Sequence, residues 1–260
     1  MKACKLLSFG LIKITGIDAE KFLQGQLTCD VATIRSQQAV LAAHCSYQGR
    51  IISNFLIYKQ EKDFYLVLPK TVIPIAKAHL LKYAVFSKVA IEELNDPIFG
   101  AWTESEHTIA LPSSFKNRYI LINTTEKFDF IDEKIWLLEN IKAGVAYVVP
   151  ETSNQFTPHM IGLVNHGGVS FNKGCYLGQE IVARTEHLGK AKRHLYWGQI
   201  QSTISPQPGN PVDHMGTILT AAHSTENTID CLMVLEDRAL TEPTITWQQQ
   251  TISGIISPFL

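Results

Sequence analysis

The chain lacks any pair of cysteines two residues apart. Its five cysteines, Cys4, Cys29, Cys45, Cys175 and Cys231, are widely and irregularly spaced. Neither a zinc ribbon nor a protein-held cluster is signalled, and no stably bound metal is expected. An odd count in 260 residues also speaks against a disulfide scaffold, so reduced thiols in a cytoplasm-like compartment fit better. Charge is sparse: 18% of residues are charged and the net is −1. No global field therefore draws the protein to DNA or anionic lipid, and any basic site must be local. No run approaches the about 20 apolar residues of a membrane span. The opening MKACKLLSFGLIKITG is too short and too polar for a secretory signal. The expectation is a cytoplasmic protein with neither membrane nor DNA as a direct partner. Familiar chemical motifs are missing too. GLVNHGGVS lacks GxGxxG, and Ser170 is not in a GxSxG elbow. GKAKRH, with Lys190, Lys192 and Arg193, does not close a P-loop. That motif would need glycine at 184 and Ser or Thr at 191, where the chain has Arg184 and Ala191.

What is present is a foldable apolar content of 45% and an orderly run of elements. LIKITG alternates as a short strand, and a helix is expected over DAEKFLQGQLTCDV, with Asp18 as its cap and Ile17 stapled onto Phe22. Two hairpins follow, turning at Gln48-Gly49 and at Gln60 to Lys62. IPIAKAHLLKYAV reads as a helix with Pro74 in its first turn, and FSKVAIEEL as a returning strand. IDEKIWLLENIKAG is helical, capped by Asp132, with Ile135, Trp136, Leu138 and Ile141 on its apolar face and Gly144 at its end. From Val145 to Phe171 the chain reads as extended and irregular. Beyond Gly189 come short strands at regular spacing, which suggest a small barrel or sandwich. Hairpin-linked strands mixed with helices indicate α+β, with a boundary near Tyr196: a first region over 1–195 and a second over 196–260.

One stretch asks for more than packing. In NKGCYLGQE, Cys175 stands between Gly174 and Gly178, which favour a sharp turn. GQEIVARTEHLG then reads as a helix with Gln179 and Glu180 in its first turn, Arg184 and His187 towards its end, and Gly189 as its stop. A helix start and Lys173, two residues away, both act to lower a thiol pKa. Cys175 is thus read as a reactive or ligating thiol, rather than a small residue filling a turn. The GKAKRH stretch could hold a phosphate, a carboxylate tail or RNA, but reads first as a solvated basic patch. His44 and Cys45 adjoin on a strand and so face opposite ways, which suits packing and not joint metal binding. His159, His166, His187 and His194 show no metal-ligand spacing.

KGCYLGQE resembles the signature of the YgfZ family of folate-binding proteins. So do GIDAEKFLQGQLTCDV, LAAHCSYQGR, LLKYAVFSKVAI, ENIKAG and the block from Gln155 to Arg193, all in collinear order. The resemblance implies a fold similar to the glycine-cleavage T-protein: an α+β folate-binding part around a central cleft, and a small C-terminal β-barrel. The stretch between Leu94 and Asp132 is shorter than in typical relatives, so one lobe is expected to be trimmed. The resemblance also implies function. The family binds tetrahydrofolate and supports assembly or repair of iron–sulfur clusters, including those of enzymes that modify tRNA. Reduced folate and iron–sulfur client or assembly proteins are then the expected partners.

Carried over residue by residue, the resemblance gives Cys175 and Lys173 as the chemical pair. Tyr176, Gln179, Glu180, Arg184, Lys192 and Arg193 become the cofactor-binding set. The thiol is expected at the mouth of a folate-sized cavity. The chain departs from the family pattern at three places. Lys142 stands where relatives commonly carry a glutamate, which in the aminomethyltransferases helps hold the pterin. His159 replaces a glutamine, and Gly162 an asparagine. Two other readings compete: a folate-dependent aminomethyltransferase or methyltransferase, and a non-catalytic partner-binding module that has lost folate.

Overall fold

Alternation along two long strands decides how the chain folds. In AVLAAHC and IISNFLIYKQ, Leu41, Ala43, Cys45, Ile51 and Leu56 join one buried cluster, while Ala42, Phe55 and Ile57 join another. A strand apolar on both faces must lie between two layers. The computed structural model, which describes residues 1–189 and 191–259, shows this arrangement. Lys190, named above in the basic stretch, and Leu260 lie outside the described residues.

The strands are β1 (Lys2–Lys5), β2 (Phe9–Thr15), β3 (Ala39–Cys45), β4 (Ile51–Gln60), β5 (Asp63–Pro69), β6 (Ala90–Leu94), β7 (Ile98–Ala101), β8 (Ile109–Ala110), β9 (Tyr119–Ile122) and β10 (Asp129–Phe130). A second run comprises β11 (Arg193–Gln201), β12 (Pro211–Val212), β13 (Gly216–His223), β14 (Thr228–Glu236), β15 (Thr246–Trp247) and β16 (Gln250–Ile256). The helices are α1 (Ala19–Gln24), α2 (Ile73–Ala84), α3 (Glu133–Lys142) and α4 (Gln179–Leu188). The central sheet has the order β3-β4-β5-β2-β6 and is antiparallel throughout. One of its faces packs α1 and α2, through Phe22, Leu23, Ala76 and Leu80. The other meets Trp136 and Ile141 of α3 and the irregular segment from Val145 onward.

That irregular segment contains no helix or strand among its described residues. It crosses the central sheet on side-chain ties. Buried Asn54 of β4 donates through Nδ2 to Ala146 O at 2.7 Å and accepts from Val148 N at 2.8 Å through Oδ1. Thr28 donates to Gly168 O at 2.6 Å. These ties satisfy backbone groups that a buried loop would otherwise strand.

The strands between Leu94 and Asp132 join β1 in a small sheet of order β10-β1-β7-β9-β8, in which only β1 and β10 run parallel. Gly100 of β7 leaves room for Trp136, whose Cε3 would stand 2.5 Å from any Cβ there. The third sheet, β12-β13-β14-β11-β16-β15, is six-stranded and nearly closed. Its two outer strands meet through side chains: Asp213, just past β12, accepts from the N and Oγ1 of Thr246 at 2.6 and 2.7 Å. Mixed helices and hairpin-rich sheets with a small barrel match the α+β expectation.

Two local expectations fail at α1. Asp18 makes no side-chain cap; its carboxylate instead accepts Lys88 N at 2.8 Å, tying the α1 entry to the turn before β6. Ile17 is 83% exposed, so it staples nothing. The helix itself stops at Gln24, far short of the expected stretch.

Candidate functional site

α4 forms because GQEIVARTEHLG has a legal start. Gly178 takes φ +83° at the N-cap, where a Cβ would sit 2.4 Å from Ser46 O and 3.0 Å from Gly49 Cα. Gly49, at φ +69°, in turn lies against Ile181 and Gly178 O. Two glycine turns thus interlock and pin the start of α4 onto the β3–β4 hairpin. Gly174 is different: its φ is not positive, and a Cβ there would meet nothing within 4 Å. Leu177 N donates to Gly25 O at 3.2 Å, so the thiol turn also runs beside the end of α1.

Cys175 is exposed, four positions before α4 begins, while Cys4, Cys29, Cys45 and Cys231 are buried. Burial pushes each of those four thiols up to about 12. Lys173 does not serve Cys175 as expected. Its ammonium donates to Leu27 O at 2.8 Å and Cys29 O at 2.7 Å, and stands 5.2 Å from the Tyr176 ring centre. Burial lowers its pKa to about 8, opposed by nearby Cys29 and Asp30. The thiol on which its charge acts is that of Cys29.

Tyr176 is buried, and loss of solvent raises its phenol pKa. Gln179 is half-buried, and Glu180 and Arg184 are exposed along α4. Lys192 and Arg193 lie further on, at the start of the barrel. Arg193 pairs with Glu236 at 2.7 Å, as does Arg238, and Lys192 O accepts Asp237 N at 3.1 Å. The structure therefore gathers Lys173, Cys175, Tyr176, Gln179 and Glu180 at one turn, with Arg184 along the same helix and Arg193 held by the barrel.

Sequence reasoning missed several buried polar atoms on the thiol turn, near it and along α4. Gln26 Oε1, Ser46 Oγ, Tyr176 Oη and His159 Nδ1 are buried without a hydrogen-bond partner among the described residues. Each such group costs on the order of 1–3 kcal/mol if left unmet, so each calls for a hydrogen-bonding partner. His159 also links the turn's surroundings: its Nε2 meets Glu186 of α4 at 3.0 Å, and burial lowers its pKa against the pull of Glu186. Unmet Tyr176 Oη lies on the thiol turn itself, and unmet Ser46 Oγ belongs to the residue whose carbonyl abuts Gly178. Lys142, exposed at the end of α3, does not offer the acceptor expected there. A hollow of about 550 Å³ lies elsewhere, against Gln37, Tyr58, Glu61, Glu106, His107 and Asn123, and another of about 190 Å³ lies beside Phe9 and Lys70. Neither is lined by Cys175 or by any other residue of the expected set.

Buried His44, which its neighbour Cys45 drew attention to, has a partner no local pattern announced. Its Nδ1 meets Ser53 Oγ at 3.0 Å and its Nε2 faces His79 Nδ1 of α2. No group of three or more His, Cys, Asp or Glu is placed to hold a metal among the described residues, and no described helix is long and apolar enough to cross a membrane.

No protein-family model matches the chain. The tRNA-modifying protein YgfZ of Hamiltonella defensa is 33% identical over 244 residues, which span 80% of this chain and 73% of that protein. The chain belongs to the YgfZ family. An uncharacterized protein of Haemophilus influenzae is 37% identical over 216 residues, 80% of this chain and 77% of its own length. The tRNA-modifying protein YgfZ of Yersinia pestis is 29% identical over 272 residues, 88% of this chain and 82% of its own. In three dimensions the family member is similar to the glycine cleavage system aminomethyltransferase T of Bartonella henselae. The TM-score is 0.72 at 12% identity, covering all of this chain and 86% of that one. The T-protein-like fold is therefore shared across sequences that have almost wholly diverged.

Proposed function

We propose that this protein binds a reduced folate, tetrahydrofolate or a derivative, and acts as an accessory factor in the assembly or repair of iron–sulfur clusters, and thereby in tRNA modification. Cys175 is its working thiol. The reading is supported by relatives named for tRNA modification and by a fold shared with a folate-dependent type of enzyme. The observation that carries the thiol's part is exposure: of the five cysteines, Cys175 alone reaches solvent, on a turn braced by interlocked glycines. A thiol so placed can meet the iron of a client's cluster as a transient ligand, which the four buried ones cannot. Lys173 supports it indirectly, by fastening the turn to the carbonyls of Leu27 and Cys29. Tyr176, Gln179 and Glu180 face the ligand's polar edges, while Arg184 and Lys192 meet its carboxylates. The pterin lies towards the turn after α3, where Lys142 replaces the acceptor known in relatives. Client proteins in a cytoplasmic setting complete the picture.

Isothermal titration with tetrahydrofolate tests the ligand. At about 100 times its dissociation constant the ligand should add about 2.7 kcal/mol of stability, so a melting curve unmoved at millimolar ligand would refute binding. Complementation of a strain lacking this protein tests the thiol. Cys175→Ala should lose the activity of cluster-dependent enzymes while keeping its folate affinity. Full rescue by Cys175→Ala would remove the sulfur from the mechanism.

A further inference from the structure

A helix lying on the surface of a protein normally buries one apolar stripe and turns charge to solvent on the other side. α2 keeps only the first half of that pattern. Ile73, Ala76, Leu80 and Ala84 form its buried stripe against the central sheet. On its outer face Ile75 and Leu81 are exposed, and the chain runs on into Val85 and Phe86, 72% and 101% exposed. Nothing in this molecule covers the Phe86 ring. The tip is nonetheless held stiffly. Gly16 has φ +117°, and a Cβ there would lie 2.1 Å from Lys88 O, so the turn after α2 rides directly on the turn before α1. Asp18 fastens the same two turns by accepting Lys88 N at 2.8 Å. Exposed Ile17 therefore flanks the tip and extends it. Tyr83 is braced from behind by His79, with ring centroids 5.3 Å apart.

Charge gives this surface a sign. Between Asp63 and Glu92 the chain has no acidic residue but four lysines, Lys70, Lys77, Lys82 and Lys88. Among the described residues, Lys77, Lys82 and Lys88 form no ion pair. A contiguous exposed apolar patch marks a contact surface, and unpaired cations around it call for negative groups opposite. A second copy of this chain fits badly, because a two-fold contact through this face would set lysine against lysine. An anionic lipid surface fits badly too. Glu92 and Glu93 on β6 are exposed and follow closely after Lys88, so a flat negative sheet would meet both signs. A protein can shape its charges to match: an apolar pocket for the tip, with Asp or Glu facing the lysines. Position supplies a second reason. α1 and α2 cover one face of the central sheet, and the thiol turn adjoins the end of α1 where Leu177 N donates to Gly25 O at 3.2 Å. A partner seated on α2 thus lies against the helical layer that exposed Cys175 adjoins.

We propose that the outer face of α2, with its tip at Val85, Phe86 and Ile17, is the docking surface for the iron–sulfur client or assembly protein, which grips it with an apolar pocket rimmed by carboxylates. This rests on the accessory reading above and names the surface by which the partner comes to Cys175. Photocross-linking in the living cell tests it, with p-benzoylphenylalanine replacing Phe86 in the full chain. Irradiation should give one major protein adduct. Lys82→Glu combined with Lys88→Glu should cut its yield about tenfold, because like charges then face each other. Complementation of a strain lacking this protein supplies the functional arm. Phe86→Ser combined with Val85→Ser should lose rescue of cluster-dependent enzymes at an unchanged melting temperature, since both side chains point into solvent. The charge-reversed chain should fail to rescue in the same way. An adduct insensitive to charge reversal, an adduct with lipid, RNA or a second copy, no adduct at all, or full rescue by the serine variant would each overturn the docking surface and leave the accessory reading intact. If the wild-type chain itself fails to restore those enzymes, the accessory reading falls and the docking surface falls with it.

Discussion

His44 is buried in the central sheet with its Nδ1 on Ser53 and its Nε2 against His79. Burial, helped by facing His79, lowers its pKa from 6.5 to about 3. A lowered folded-state value means that the unfolded chain takes the proton first. The stability is then complete above about pH 6.5 and is lost as the pH falls towards 3. Denaturant midpoints measured between pH 7.5 and 4 should show this decline, at up to about 1.4 kcal/mol per pH unit from this group. His44→Gln should flatten the slope whatever it does to stability at neutral pH. An equal slope in the variant would assign the acid sensitivity to other groups. Such a pair was not legible beforehand, because the two histidines are 35 residues apart and meet only through the packing of α2 on β3. Lys173 teaches the same lesson from the other side. Its nearness to Cys175 in sequence suggested a charge acting on that sulfur, yet a long flexible side chain goes where carbonyls are lined up for it.

Gly178 and Gly174 flank the thiol and look equivalent on paper. Only Gly178 has left-handed backbone and a crowded Cβ position. Gly178→Ala should therefore cost about 2–4 kcal/mol, from strain together with collision against Ser46 O, and should detach the start of α4. Gly174→Ala should change stability by no more than about 0.5 kcal/mol. Urea unfolding of both variants checks the contrast, and similar losses would show that the interlocked turns do not carry the helix. α2, α3 and α4 were readable because their signals are local: Pro74 within the first turn, Asp132 Oδ1 accepting from Lys134 N at 2.8 Å, Gly144 and Gly178 at positive φ. α1 was misread for a non-local reason. Asp18 prefers Lys88 N, 70 positions away, to the amides of its own helix.

The molecule as a whole depends on how its irregular crossing segment is fastened. Asn54 satisfies Ala146 O and Val148 N at once, from a fully buried position. Asn54→Ala would leave both backbone groups without partners, so a loss of about 2–4 kcal/mol is expected in equilibrium unfolding. A change below about 0.5 kcal/mol would mean that the segment is held by apolar packing alone. Strand composition and the α+β class were legible in the sequence, as was the run of short strands after Gly189. The sorting of strands into three sheets was not. β1 pairs with β7 and β10, roughly a hundred residues downstream, and no local periodicity encodes such a choice.

The clasp between Asp213 and Thr246 has a consequence beyond closing the barrel. It leaves β12 and β15 as margins only two residues long each. A foreign strand seeking to extend the sheet finds almost no ladder to copy, and a proline, Pro211, contributes no amide on one side. The same short edges that make the barrel incomplete also make it a poor template for aggregation.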